Sequence, residues 1–201
     1  MKTVWDKTEG AQRDELFAFN EGYKDFISSS KTERECVAQT VRLAREQGFR
    51  DLADVLAQHQ PIQAGDKLYA VNKDKDVALF VIGQRPMSEG MNILGAHIDS
   101  PRLDVKQHPL YEDHGLTLMD THYYGGIKKY QWVALPMALH GVVFKKDGTR
   151  IDLCIGEKEG DPVVGISDLL VHLASDQLQK TGAKVVEGED LNVLVGSIPC
   201  P

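Results

Sequence analysis

The sequence predicts an α/β protein whose second half is mainly β, and three observations carry that prediction. Apolar residues recur at helical spacing near the N-terminus, and an apolar run over Met91–Ala96 leads into the polar cluster His97–Ser100. Beyond Pro101 the texture changes to alternating runs separated by turn residues. That shift places a soft domain boundary just after Pro101, giving regions 1–101 and 102–201.

From Gln12 to Ile27, residues Leu16, Phe19, Tyr23, Phe26 and Ile27 recur at three- and four-residue steps, the signature of a helix that packs by one stripe. Thr32-Glu33-Arg34-Glu35 then reads as a capping box opening a second helix to Gln47. Gly48 supplies the left-handed residue that ends many helices. Lys67–Val71 and Val77–Ile82 are β-rich and flank the charged turn Asn72–Asp76, which predicts a hairpin. Gly83–Gly90 is loop, and Met91–Ala96 is expected as a short buried strand. A polar cluster at the end of a central strand is where α/β proteins commonly place chemistry. Further on, Leu103–Lys106, Leu139–Phe144 and Ile151–Ile155 read as strands. One helix is expected among them, from about Ser167 to Gln179, with Leu169, Leu170, Leu173 and Leu178 as its apolar set.

Composition narrows the function. The 201 residues carry 30 acidic and 23 basic side chains, a net charge of −7, which gives no electrostatic footprint for phosphate backbones and argues against a nucleic-acid partner. No apolar run approaches the length of ~18–20 residues that crosses a bilayer, and the N-terminus has no apolar secretion segment. The cytoplasm is the expected compartment, without a membrane partner. Cys36, Cys154 and Cys200 are scattered and outside any CxxC spacing, which disfavours a disulfide framework or a thiolate zinc site.

His97 and Asp99 stand two apart, so an extended backbone projects both to one face, the spacing at which a carboxylate supports a histidine. Taken alone, the pair also fits a satisfied buried histidine followed by a turn aspartate before Ser100-Pro101. His108, His114 and His122, with Glu112, Asp113 and Asp120, are spread through a polar, loop-like stretch and read as solvated surface. Gly125-Gly126 lacks a phosphate-loop context and reads as a close turn.

The stretch Gly95-Ala96-His97-Ile98-Asp99-Ser100-Pro101 resembles the G-A-H-T-D-S-P segment of the M18 metalloaminopeptidases, the aspartyl aminopeptidase and aminopeptidase I group, with Ile98 in place of threonine. Tyr123–Ile127 with Trp132, Leu139–Val143 and Glu187–Pro199 extend the resemblance in family order over nearly the whole chain. The resemblance implies the N-terminal part of a zinc-aminopeptidase α/β catalytic domain, followed by a mainly β insertion that serves oligomerisation. It implies His97 as the first ligand of a two-zinc centre, with manganese or cobalt as alternative metals, and Asp99 as the carboxylate that orients it. Ile166–Leu173 is similar to the family's I-P-H-x-x-x-H-L, which puts His172 at a position that reaches a neighbouring subunit's active site. A helix histidine facing solvent or a dimer surface is the plainer account of His172. Ser167 and Asp168 depart from the segment's proline and first histidine.

Peptide substrates with acidic or neutral N-terminal residues are implied, as is a homo-oligomer in which dimers build a larger shell. An acidic side chain needs a basic partner, for which Arg102, Lys128 and Lys129 are candidates. Family members are roughly twice as long, and their bridging aspartate, general-base glutamate and remaining ligands lie downstream, so this chain is expected to be inactive alone. Two rivals are a non-catalytic short relative acting as a self-assembly module and a hydrolase with a self-contained metal site of His97, Asp99 and Asp120.

Overall fold

A computed structural model describes residues 3–198; Cys200 and the proline-flanked end of the chain at 199–201 lie outside them, as do residues 1–2. The chain divides between Asp99 and Ser100 into two compact units.

The first unit opens with α1 (Ala11–Ser28) and α2 (Glu33–Glu46). The stripe predicted for α1 is mostly in solvent: Leu16 and Phe26 are half-buried, but Phe19 is 79% exposed and Tyr23 and Ile27 are exposed as well. The helical period is there, without a full packing partner. In α2 the box forms as its residues dictate. The Thr32 hydroxyl accepts from the Glu35 N–H at 3.3 Å, and the Glu35 carboxylate accepts from the Thr32 N–H at 2.9 Å. Two N–H groups that the first helical turn leaves unpaired are thereby satisfied. Gly48, at φ 82°, ends the helix in the conformation that L residues avoid and glycine, without a Cβ, adopts freely.

Strand β1 (Arg50–Asp51) runs into α3 (Leu52–Ala57), capped by the Asp51 carboxylate, which accepts from the Ala53 N–H at 2.9 Å. Six residues are too few to show a periodic stripe, which is why the apolar pattern does not reveal α3. The hairpin of β2 (Lys67–Asn72) and β3 (Asp76–Val81) pairs antiparallel, with Lys73 and Asp74 at φ 52° and 57° in its turn, and β1 adds to β2 in parallel. Cys36, Val37, Ala44, Val55, Leu68 and Tyr69 are buried here, and the Arg45 guanidinium satisfies the Tyr69 hydroxyl at 2.8 Å through Nε.

The strand expected over Met91–Ala96 does not form. The sheet ends at β3, the segment carries no regular structure, and Ile93 and Leu94 are 79% and 100% exposed. An apolar run becomes a buried strand only where a sheet edge receives its backbone groups, and none among the described residues does.

In the second unit β4 (Arg102–Asp113) and β5 (Leu116–Tyr124) form a long hairpin through the left-handed pair His114-Gly115, and β8 (Val193–Gly196) pairs with β5. The histidines 108, 114 and 122 therefore sit on a hairpin rather than in a loop, and all three are exposed. A separate hairpin joins β6 (Leu139–Phe144) to β7 (Arg150–Ile155). Met119, Ile166, Val186, Leu191 and Val193 make the core, with Leu103, Trp132 and Leu139 packed on it. Within it the buried Thr121 hydroxyl donates to the Leu191 carbonyl at 2.6 Å.

The helix expected over Ser167–Gln179 is replaced by two 3-10 turns, Val171–Leu173 and Gln177–Gln179. Leu169, Leu170, Leu173 and Leu178 are all exposed, so the stripe gains no burial to offset helix nucleation. Asp168 favours the loop instead, accepting from the Leu169 N–H at 2.8 Å and from the Gln177 amide at 3.1 Å.

Candidate functional site

His97 and Asp99 meet at the end of the first unit. Nδ1 of His97 lies 3.0 Å from Oδ1 of Asp99 and 3.1 Å from the Asp99 backbone oxygen. An ionised carboxylate and a carbonyl only accept, so Nδ1 must carry the proton. In the neutral ring the lone pair then falls on Nε2. The ring is 86% exposed and the Asp99 side chain 35%, so that lone pair faces outward from a pinned imidazole. This is the arrangement in which an acceptor on one ring nitrogen prepares the other to bind a metal.

One imidazole does not hold zinc, which takes three or four protein ligands in a site of its own. No group of three or more His, Cys, Asp or Glu side chains suited to a metal is assembled among the described residues. Asp120, the third member of the self-contained set with His97 and Asp99, belongs to the second unit, half-buried on β5 between the buried Met119 and Thr121. Among the described residues the assembled donors do not make up a whole metal centre.

His172 lies in the second unit, on the exposed turn Val171–Leu173, and makes no side-chain hydrogen bond among the described residues. It sits among the exposed apolar side chains of Leu169, Leu170, Val171 and Leu173. Among the basic candidates, Arg102 stacks on the Tyr124 ring at 4.2 Å and donates through Nε to Asp104 at 2.7 Å, while Lys129 faces Glu187 at 3.6 Å. Lys128 is exposed. A further histidine pair was hidden from the sequence: Nε2 of His140 on β6 meets Glu157 at 3.0 Å, across 17 positions. No local spacing signals such a pair.

Comparison with known proteins gives one family. The model of the aminopeptidase I zinc metalloproteases (M18) matches residues 26–197. A probable M18 family aminopeptidase 1 of Clostridium acetobutylicum is 57% identical over 198 residues, covering 98% of this chain and 43% of that protein. The crystal structure of the M18 aminopeptidase of Thermotoga maritima superposes with a TM-score of 0.89 at 42% identity, over 99% of this chain and 42% of that one. The mApe1 dodecamer of S. cerevisiae shares the fold at 19% identity and a TM-score of 0.62, over 87% of this chain and 37% of that one. The chain thus spans less than half the length of the relatives it matches.

Proposed function

The chain belongs to the M18 family of zinc aminopeptidases, and from that premise we propose that it supplies the N-terminal part of an enzyme releasing acidic or neutral N-terminal residues from peptides. The observation that carries the reading is the His97–Asp99 pair, with Nδ1 held at 3.0 Å and Nε2 left to a metal. His97 is the first ligand of a centre that takes two zinc ions, or manganese or cobalt. Asp99 keeps the ring in the tautomer that can bind. Residues 1–101 belong to the catalytic domain and 102–201 to the insertion that builds the oligomer, where His172 serves a neighbouring subunit. The fold shared with a dodecamer supports assembly through dimers into a larger shell. The cytoplasm is the compartment proposed; no helix among the described residues is long and apolar enough to cross a membrane.

Because the described residues assemble no group of three metal ligands, the 201-residue polypeptide with zinc, manganese or cobalt should release nothing from aminoacyl-anilides. A chain extended to the length of its relatives should turn over, and His97→Ala should remove that activity. Robust turnover by the short chain, or an extended enzyme indifferent to His97→Ala, overturns the reading. The exposed apolar run Leu169–Leu173 favours a second reading, a non-catalytic self-assembly module. A strictly monomeric chain at high concentration in sedimentation removes it.

A further inference from the structure

In the second unit β4 (Arg102–Asp113) is the outermost strand of its sheet, with β5 on one side and, among the described residues, no strand on the other. Its 12 residues give an open edge of about 40 Å, and a flat edge of that length is a template on which another chain can pair. The edge is not continuous. Val105 stands opposite Thr121 and Leu110 opposite Met119, so the four residues Lys106-Gln107-His108-Pro109 face Asp120 alone. Pro109 has no N–H to offer, and it confines His108 to extended backbone. The Lys106 side chain donates to Glu189 at 2.9 Å, which ties the start of this bulge to the turn Gly188–Asp190.

The size of the bulge is matched to the pleat. Val105 and Leu110 are five positions apart, and unbroken alternation would send them to opposite faces, whereas their partners Thr121 and Met119, two apart and both buried, share one. Three extra residues, an odd number, return Leu110 to the face of Val105. The sheet thus keeps its inward side while its outer edge is cut into Arg102–Val105 and Leu110–Asp113, four residues each. Val105 and Leu110 are 47% and 66% exposed on either side of the cut, so closing it would set apolar side chains beside a long run of unpaired backbone groups. We propose that Lys106–Pro109 is an edge guard: it denies a second copy of this chain the continuous strand edge on β4 that antiparallel pairing between copies needs.

The test closes the cut in the 201-residue chain. Deleting Gln107–Pro109 leaves Lys106 opposite Asp120, keeps Leu110 on its face and makes β4 an unbroken strand. A milder variant, Lys106→Thr with Pro109→Val, keeps the length, releases the bulge from Glu189 and restores an N–H. A third chain adds Leu110→Lys to the deletion, which sets a charge beside the edge. Thioflavin fluorescence and the pelleted fraction are followed at equal concentration; adhesion through exposed leucines alone leaves the dye dark. The deletion should raise both readings on the order of tenfold over the original chain, the milder variant less, and Leu110→Lys should bring the deletion back toward the original. A deletion chain that folds, by circular dichroism and a cooperative urea transition, yet stays as dark and as soluble as the original overturns the proposal. A rise that Leu110→Lys leaves untouched overturns it too, since that marks general misfolding instead of pairing at the edge. If the deletion chain does not fold, the milder variant is read with and without Leu110→Lys against the same two outcomes.

Discussion

Lys106 and Glu189 stand 83 positions apart, yet Nζ of the lysine donates to the glutamate at 2.9 Å. That hydrogen bond, with the charge attraction behind it, holds the Glu189 carboxyl below its ordinary 4.5 and raises the Lys106 ammonium above its ordinary 10.5. The lowered carboxyl contributes stability that is present above 4.5 and is lost as pH falls through the folded value; the raised ammonium contributes below 10.5 and loses its share as pH rises through its own. Between those limits the pair is intact. Glu189 is mostly in solvent, so the effect is small and screened by salt. Glu189→Gln should lower the urea midpoint slightly at about pH 7 in low salt. The difference should vanish once the pH falls below the lowered carboxyl value, where the glutamate is neutral like the glutamine, and in molar salt. A difference that persists in acid would place the effect in packing instead of charge.

Among the elements, α2 depends on a box of four consecutive residues, so it offers a clean perturbation. Thr32→Ala removes the acceptor for the Glu35 N–H and should cost about 1 kcal/mol, measured as the change in urea midpoint at constant slope. Thr32→Asp, which keeps an acceptor, should recover most of it. What the sequence discloses follows this division between local and distant causes. The capping box, Gly48 and the β2–β3 turn are chemistry among neighbours, and the observed elements follow them. The proximity of His97 and Asp99 is legible for the same reason, since a separation of two residues suffices to bring them to 3.0 Å. Met91–Ala96 and Ser167–Gln179 depart from their patterns because each pattern assumes a partner surface that the described residues do not supply. Arg102 on Tyr124 and Glu157 on His140 escape notice because hairpin register and loop closure, not spacing, join them.

At the scale of the whole molecule, the apolar surface separates the catalytic reading from the assembly reading. Leu94 and Ile93 project from the first unit, while Leu170, Val171, Leu173 and Leu178 are exposed in the second. Single-chain soluble proteins rarely leave contiguous apolar patches of more than a few hundred Å² uncovered. The chain should therefore bind a hydrophobic dye and sediment heavier than its 22.3 kDa. The two groups of exposed side chains differ in what they imply. A shell-building insertion uses a defined surface that closes, so Leu170→Ser with Leu173→Ser should return a discrete oligomer to a smaller discrete species. Ile93→Ser with Leu94→Ser should lower dye binding and open-ended association without changing that discrete species. If the first pair leaves the sedimentation profile untouched while the second abolishes all association, the second unit is not what assembles. The oligomer would then be adhesion of the uncovered 91–96 segment, and the assembly role proposed for residues 102–201 would fall.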